Sequence, residues 1–117
     1  MDMLRWLSLV ALLATTLFSV SACGAPPREI AITLREFSFA PAQVEAKSGE
    51  KLRLVLTNAG KLTHTFVSQE MKISRDVEAG KSESVEAIAP GQSGDYTFTC
   101  GVPGHEAAGM RGAFVVK

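Results

Sequence analysis

Cys100 is followed five residues later by His105 and after five more by Met110, in the stretch Cys100-Gly101-Val102-Pro103-Gly104-His105-Glu106-Ala107-Ala108-Gly109-Met110. The chain has 2 histidines, and the other is His64. A thiolate, two imidazoles and a thioether together form the donor set of a mononuclear copper site in which His₂Cys make a trigonal plane and Met sits weakly on the axis. Soft sulfur donors suit Cu(I) and imidazole suits both oxidation states, so one such site can hold either. Each residue alone has a plainer role. His64 on an apolar strand reads as a hydrogen-bonded core histidine, His105-Glu106 as a surface loop, Met110 as a filler of a core gap, and Cys100 as a small buried hydrophobe. Their coincidence with one loop spacing and one upstream strand favours the metal. A Cys-His-His set also suits tetrahedral zinc, but structural zinc sites seldom use methionine, and Met110 shifts the assignment to copper. A dinuclear copper site needs a second thiolate near Cys100. A catalytic copper needs further histidines, and both histidines are already assigned.

The elements that must position these residues read as strands. Ile30, Ile32 and Leu34 alternate with period two, as do Leu52, Leu54 and Leu56, the pattern of half-buried strands. Strands are expected near 30–37, 42–47, 51–57, 63–69, 71–78, 82–88, 94–100 and 111–117. Within 69–82, Ser68-Gln69-Glu70 and Ser74-Arg75-Asp76 are polar enough for loop. Ser48-Gly49-Glu50, Asn58-Ala59-Gly60, Ala79-Gly80-Lys81 and Pro90-Gly91-Gln92 supply turn residues. About eight short strands at this spacing, with no convincing helical window, argue for an all-β sandwich or barrel. Cys100 then closes one strand and Arg111 opens the next, so that a single loop delivers Cys100, His105 and Met110, while His64 comes from another strand. Pro103 and Gly104 permit the tight turn that returns His105 toward the thiolate.

Composition narrows the function. Of the 117 residues 46% are hydrophobic, and Lys plus Arg and Asp plus Glu each number 12. The balanced charge leaves no basic footprint for nucleic acid, and the apolar content argues against disorder. Lys47, Lys51, Lys61, Lys72 and Lys81 read as a solvated face that blunts exposed strands; steering toward an acidic partner is the functional alternative. Residues 1–22 have the layout of a secretory signal peptide. Val20-Ser21-Ala22-Cys23 resembles a bacterial lipobox, in which Cys23 is acylated and becomes the new N-terminus. The alternatives are an uncleaved anchor, since no charge falls between Trp6 and Pro27 and that length just crosses the ~30 Å hydrocarbon layer, and ordinary cleavage. The expected organisation is a signal peptide at 1–22, a tether at 23–29 stiffened by Pro26 and Pro27, and one domain at 30–117. The tether reaches at most ~25 Å, which places the domain close to a membrane outside the cytoplasm. Acylation of Cys23 leaves Cys100 a single thiol in an oxidising compartment, where an occupant is expected.

The Cys-x-x-Pro-Gly-His-x-x-x-Gly-Met-x-Gly stretch resembles the ligand loop of cupredoxins, with a spacing most similar to auracyanin and rusticyanin. Glu36-Phe37-Ser38-Phe39-Ala40-Pro41, Ser48-Gly49-Glu50, Leu52 to Asn58 and Thr63-His64-Thr65-Phe66-Val67 resemble that family's first strands and its upstream histidine. The resemblance covers nearly all of residues 30–117. It implies a Greek-key β-sandwich holding one type 1 copper, with His64, Cys100 and His105 equatorial and Met110 axial. It also implies electron transfer between a transient redox donor and acceptor, with no substrate turned over. A copper-handling protein that delivers or senses the ion is the competing class, although the chain has no Met- or His-rich tract. A monomer is expected. Two positions depart from the family pattern. Thr65 stands where Asn often braces the ligand loop, its hydroxyl taking over that brace, and Gly101 lacks a supporting side chain after the cysteine.

Overall fold

The computed structural model describes residues 24–117. The expected signal peptide at 1–22 and the acylation site Cys23 lie outside the described residues. Nine strands run in chain order: β1 (Arg28–Arg35), β2 (Ser38–Ala40), β3 (Gln43–Ala46), β4 (Lys51–Asn58), β5 (His64–Ser68), β6 (Ile73–Val77), β7 (Ser82–Ile88), β8 (Gly94–Cys100) and β9 (Arg111–Val116). They form two sheets, ordered β2-β1-β4-β7 and β3-β9-β8-β5-β6. The chain passes repeatedly from one sheet to the other, and both sheets are mixed, with β1 parallel to β4 and β3 parallel to β9. The all-β sandwich expected from the alternation is therefore correct. Among the described residues no helix is long and apolar enough to cross a membrane.

The strand count differs from expectation by one. The first expected strand, 30–37, ends at Arg35, turns through Glu36 and Phe37, and returns as β2, with Arg35 paired to Ser38. No Gly, Asn or Pro marks that turn, so the alternation conceals it. The polar segment around 74–76 is strand, because β6 lies at a sheet edge where its middle residues face water and only Ile73 and Val77 turn inward.

Period-two alternation builds the core. Ile30, Ile32 and Leu34 of β1 and Leu52, Leu54 and Leu56 of β4 face Phe66 of β5, Phe98 of β8 and Phe114 of β9 across the sandwich, all buried. Phe98 is the hub of an aromatic cluster, with ring centroids 4.9 Å from Phe66, 4.9 Å from Phe114 and 5.2 Å from Phe39. The same alternation sets the chemistry. His64 shares the inward face of β5 with Phe66, and Cys100 that of β8 with Phe98, so both sit directly above the aromatic core. Because β5 and β8 are antiparallel with Phe66 opposite Cys100, the start of one strand and the end of the other meet at the same pole.

Candidate metal centre

His64 opens β5, Cys100 closes β8, and the loop from 101 to 110 carries His105 and Met110 before β9 begins. That loop is folded by its own backbone. His105 N–H donates to the Val102 carbonyl at 3.1 Å, Ala108 N–H to Gly104 at 3.1 Å and Gly109 N–H to Glu106 at 2.9 Å. Met110 N–H donates to the His105 carbonyl at 3.0 Å, and Cys100 N–H to the Met110 carbonyl at 3.1 Å. Gly104 and Gly109 adopt φ of 84° and 105°, conformations that side chains resist. These two glycines let ten residues close into a compact cap that returns Met110 to the strand it left.

The donor atoms converge. His64 Nδ1 lies 3.3 Å from His105 Nδ1 and 3.8 Å from Cys100 Sγ, and His105 Nδ1 lies 3.5 Å from the same sulfur. A point equidistant from the corners of that triangle is about 2 Å from each, which matches metal–nitrogen and metal–sulfur lengths of roughly 2.0–2.3 Å. Two imidazole nitrogens and a thiol facing one another are a poor hydrogen-bonding set but a good trigonal one. Exposure is 0% for His64, 2% for Cys100, 8% for His105 and 0% for Met110. The site is thus dry, with only His105 near the surface. Among the described residues Cys100 forms no disulfide, and it is buried; it is the thiol for which an occupant was expected.

Burial holds His64 below the ordinary histidine value, and the neighbouring His105 acts in the same direction, with Glu36 opposing. The imidazole is therefore neutral at neutral pH and its nitrogen is available as a ligand. Its far nitrogen, Nε2, is buried without a hydrogen-bond partner among the described residues. The nearest acidic atom is Glu36 Oε1 at 3.7 Å.

Three surrounding features were not read from the sequence. Buried Asn58 donates from Nδ2 to the carbonyls of Leu62 and Val77, both at 2.8 Å, and accepts from Gly60 N–H at 2.9 Å, fixing the segment that leads into His64. An Asn ahead of Gly signals such a turn, though not which carbonyls it binds. Glu36 accepts from the N–H groups of Lys61 and Leu62 on the same segment, which holds its carboxyl below the usual range. Phe37 places its ring 5.4 Å from that of His105, edge-on.

The expectation for Thr65 needs correction. Its hydroxyl donates to Asp76 Oδ1 on β6 at 2.7 Å and does not reach the ligand loop. The backbone braces the loop instead: Gly101 N–H donates to the Thr65 carbonyl at 2.9 Å, and Thr65 N–H points to Cys100 Sγ at 3.5 Å. Space beside Gly101 is taken by Val67, whose Cγ2 lies 3.1 Å from where a Cβ would stand.

The four sequence-derived residues are arranged as a type 1 copper site. When bound, copper would supply a one-electron couple; His64, Cys100 and His105 bring one donor atom each to a common point, and Met110 is fully buried and tied through its backbone to His105 and Cys100. Comparison with known proteins identifies the family and the fold. Residues 8–116 match the model of the cupredoxin-like domain. The copper-resistant cuproprotein CopI of Rubrivivax gelatinosus is 32% identical over 99 residues, covering 68% of this chain and 59% of that protein. The chain thus spans about three-fifths of the length of that relative. Among solved structures, dithionite-reduced auracyanin from Roseiflexus castenholzii superposes with a TM-score of 0.67 at 21% identity, covering 80% of this chain and 99% of that one. Auracyanin B superposes with a TM-score of 0.69 at 20% identity, covering 80% and 91%. From the match over nearly its whole length and the donor set at one pole of the sandwich, this chain belongs to the cupredoxin-like family.

Proposed function

We propose that this protein is a mononuclear type 1 copper carrier of single electrons, held outside the cytoplasm by a lipid on Cys23, with residues 1–22 removed as its leader. The observation that carries the reading is the dry triangle of two Nδ1 atoms and one Sγ. A rigid double-sheet frame holds those atoms in the same places whatever the charge at the centre, so little has to rearrange when an electron arrives or leaves. Turnover of a substrate is not part of the proposal, because a catalytic copper would need histidines beyond the 2 in the chain.

Electrons exchange through His105, the least buried of the four. Around it lie exposed Pro103, Gly104, Ala107 and Ala108, extended by Phe37 and Leu62 at 47% and 49% exposure. Apart from Glu106, whose carboxylate pairs with Arg111 at 3.4 Å, this surface is small and uncharged, which suits the brief contacts of redox partners that bury little area. Adding Cu(II) to purified protein should produce an intense sulfur-to-copper absorption band; a colourless product overturns the reading and favours zinc.

A second reading is favoured by the likeness to a copper-resistant cuproprotein: the protein takes up copper to deliver or sense it and joins no electron chain. Cycling oxidant and reductant beside a competing copper chelator separates the two. An electron carrier keeps its copper through repeated cycles, whereas a protein that exchanges its cargo loses it.

A further inference from the structure

The turn between β1 and β2 breaks a local rule. Two-residue hairpin connections call for Gly, Asn or Asp wherever φ is positive, yet Phe37 occupies such a position with φ of 62°. A bulky residue there is strained by about 1–3 kcal/mol, and Phe37 is itself half exposed, so packing does not compensate for the strain. What the two turn residues share is their destination. Phe37 meets His105 edge-on at 5.4 Å, and Glu36 brings Oε1 to 3.7 Å from His64 Nε2. Each touches one imidazole of the candidate centre, on the side away from the metal-facing nitrogen in the case of His64.

Glu36 is held there from two directions. Lys61 and Leu62 N–H groups donate to the same oxygen that faces His64. Behind it stands Gly60, where an added Cβ would collide with the carboxylate. His64 Nε2 in turn is a buried nitrogen with no hydrogen-bond partner among the described residues, and an unsatisfied buried N–H costs about 1–3 kcal/mol. A ring with its Nδ1 committed to the metal carries its proton on Nε2, and a carboxylate is the group that favours that proton. At 3.7 Å Glu36 Oε1 lies beyond hydrogen-bond length, so it acts on that proton through its charge, and a carboxylate beside a ligating histidine favours one tautomer and raises the ring's basicity.

We propose that Glu36 is a positioning residue of the redox centre: its carboxylate holds His64 with the proton on Nε2 and the lone pair on Nδ1, and its negative charge favours the oxidised state, lowering the reduction potential. Gain of one electron at the centre removes one positive charge, so a fixed negative neighbour disfavours it. The inference rests on the copper reading above and goes beyond it, in giving a residue outside the four ligands control of the potential.

The test compares wild type with Glu36→Gln, which keeps an oxygen for the Lys61 and Leu62 N–H groups but loses the charge. The control is Glu45→Gln, which loses a charge at the opposite end of the sheet, where Glu45 pairs with Val115. In copper-loaded protein, Glu36→Gln should weaken the preference for Cu(II) over Cu(I) by roughly tenfold, an upward shift of about 59 mV for a one-electron couple. Glu45→Gln should leave the potential near that of wild type. Equal potentials for wild type and Glu36→Gln, or equal shifts in both variants, overturn the proposal. Nitrogen NMR of the metal-free protein reads the same relationship without copper. His64 should carry its proton on Nε2 in wild type and populate both tautomers in Glu36→Ala; a proton on Nδ1 in wild type, or tautomers unchanged in Glu36→Ala, overturns it. Absence of the sulfur-to-copper band in wild type would defeat the copper reading, and the tautomer measurement would still decide the role of Glu36.

Discussion

Gly101 donates its backbone N–H to the Thr65 carbonyl at 2.9 Å, tying the residue after one candidate ligand, Cys100, to the residue after another, His64. In the reverse direction Thr65 N–H points at the Cys100 sulfur. The two strands that carry these ligands are thus stitched together beside the centre by main-chain atoms, which side-chain substitutions leave in place.

That stitching makes Cys100→Ser a clean experiment. A serine oxygen still accepts from Thr65 N–H and fits the small buried site, so the variant should fold. Without a thiolate, the sulfur-to-copper band should vanish from the visible spectrum and copper affinity should drop.

Met110→Leu addresses the axis. A Met-to-Leu exchange in a packed site costs less than about 1.5 kcal/mol, so the fold and the copper should be retained. Loss of a weak donor and a drier axial position favour the less charged state, and voltammetry should show a higher potential. An unchanged potential would remove Met110 from the ligand set.

Charge introduced beside His105 tests the docking surface. Ala107→Glu and Ala108→Glu place a carboxylate on exposed small positions of the ligand loop without touching a donor atom. The visible spectrum should be that of wild type, while stopped-flow electron exchange with a redox partner should slow. Unchanged rates would move the docking surface elsewhere.

The pole opposite the site offers a pH-dependent ion pair. Arg28 forks onto Glu50, with Nε to Oε1 at 2.6 Å and Nη2 to Oε2 at 3.1 Å, and Glu50 also accepts from Lys47 N–H at 2.9 Å. The arginine hydrogen bond, followed by the Lys47 N–H, holds the Glu50 carboxyl at about 2. A carboxyl lowered on folding stabilises above its unfolded value, and the contribution is lost as pH falls toward the folded one. Glu50→Gln should therefore be less stable than wild type by about 1 kcal/mol at pH 7. Urea titrations at a series of pH values should show that gap closing between about pH 4.5 and 2.

Gly112→Ala probes the packing beneath the site. A Cβ on residue 112 would collide with the Phe98 ring and the Ala42 carbonyl. Phe66, Phe114 and Phe39 hem in that ring, so it has nowhere to go. The substitution should cost about 1–3 kcal/mol, seen as a lower denaturation midpoint with unchanged slope.

Much of this architecture was legible in the sequence because period-two alternation and turn residues report local physics directly. The bounds of β7 and β8 fall where the pattern puts them, and Cys100 ends β8 with His105 and Met110 on the loop that follows it, as their spacing leads one to expect. The Glu36–Phe37 turn was hidden, because its residues lack turn chemistry and their placement follows from contacts with His64 and His105, far along the chain. The Thr65 hydroxyl was misassigned for a related reason. Its partner, Asp76, becomes a neighbour only through the pairing of β5 with β6, which no local signal specifies.

The pairing of β3 with β9 has a kinetic consequence. β3 is an edge strand whose neighbour in the sheet is β9, in a register that joins Gln43 to Ala113. Residues near the beginning of the domain therefore wait for its last strand before they can enter a sheet. Closing so long a loop is entropically costly before any contact rewards it, and topologies of this kind fold in milliseconds to seconds. A nascent chain therefore cannot complete this sandwich while β9 is still being synthesised, and until then β3 is left without its neighbour in the sheet.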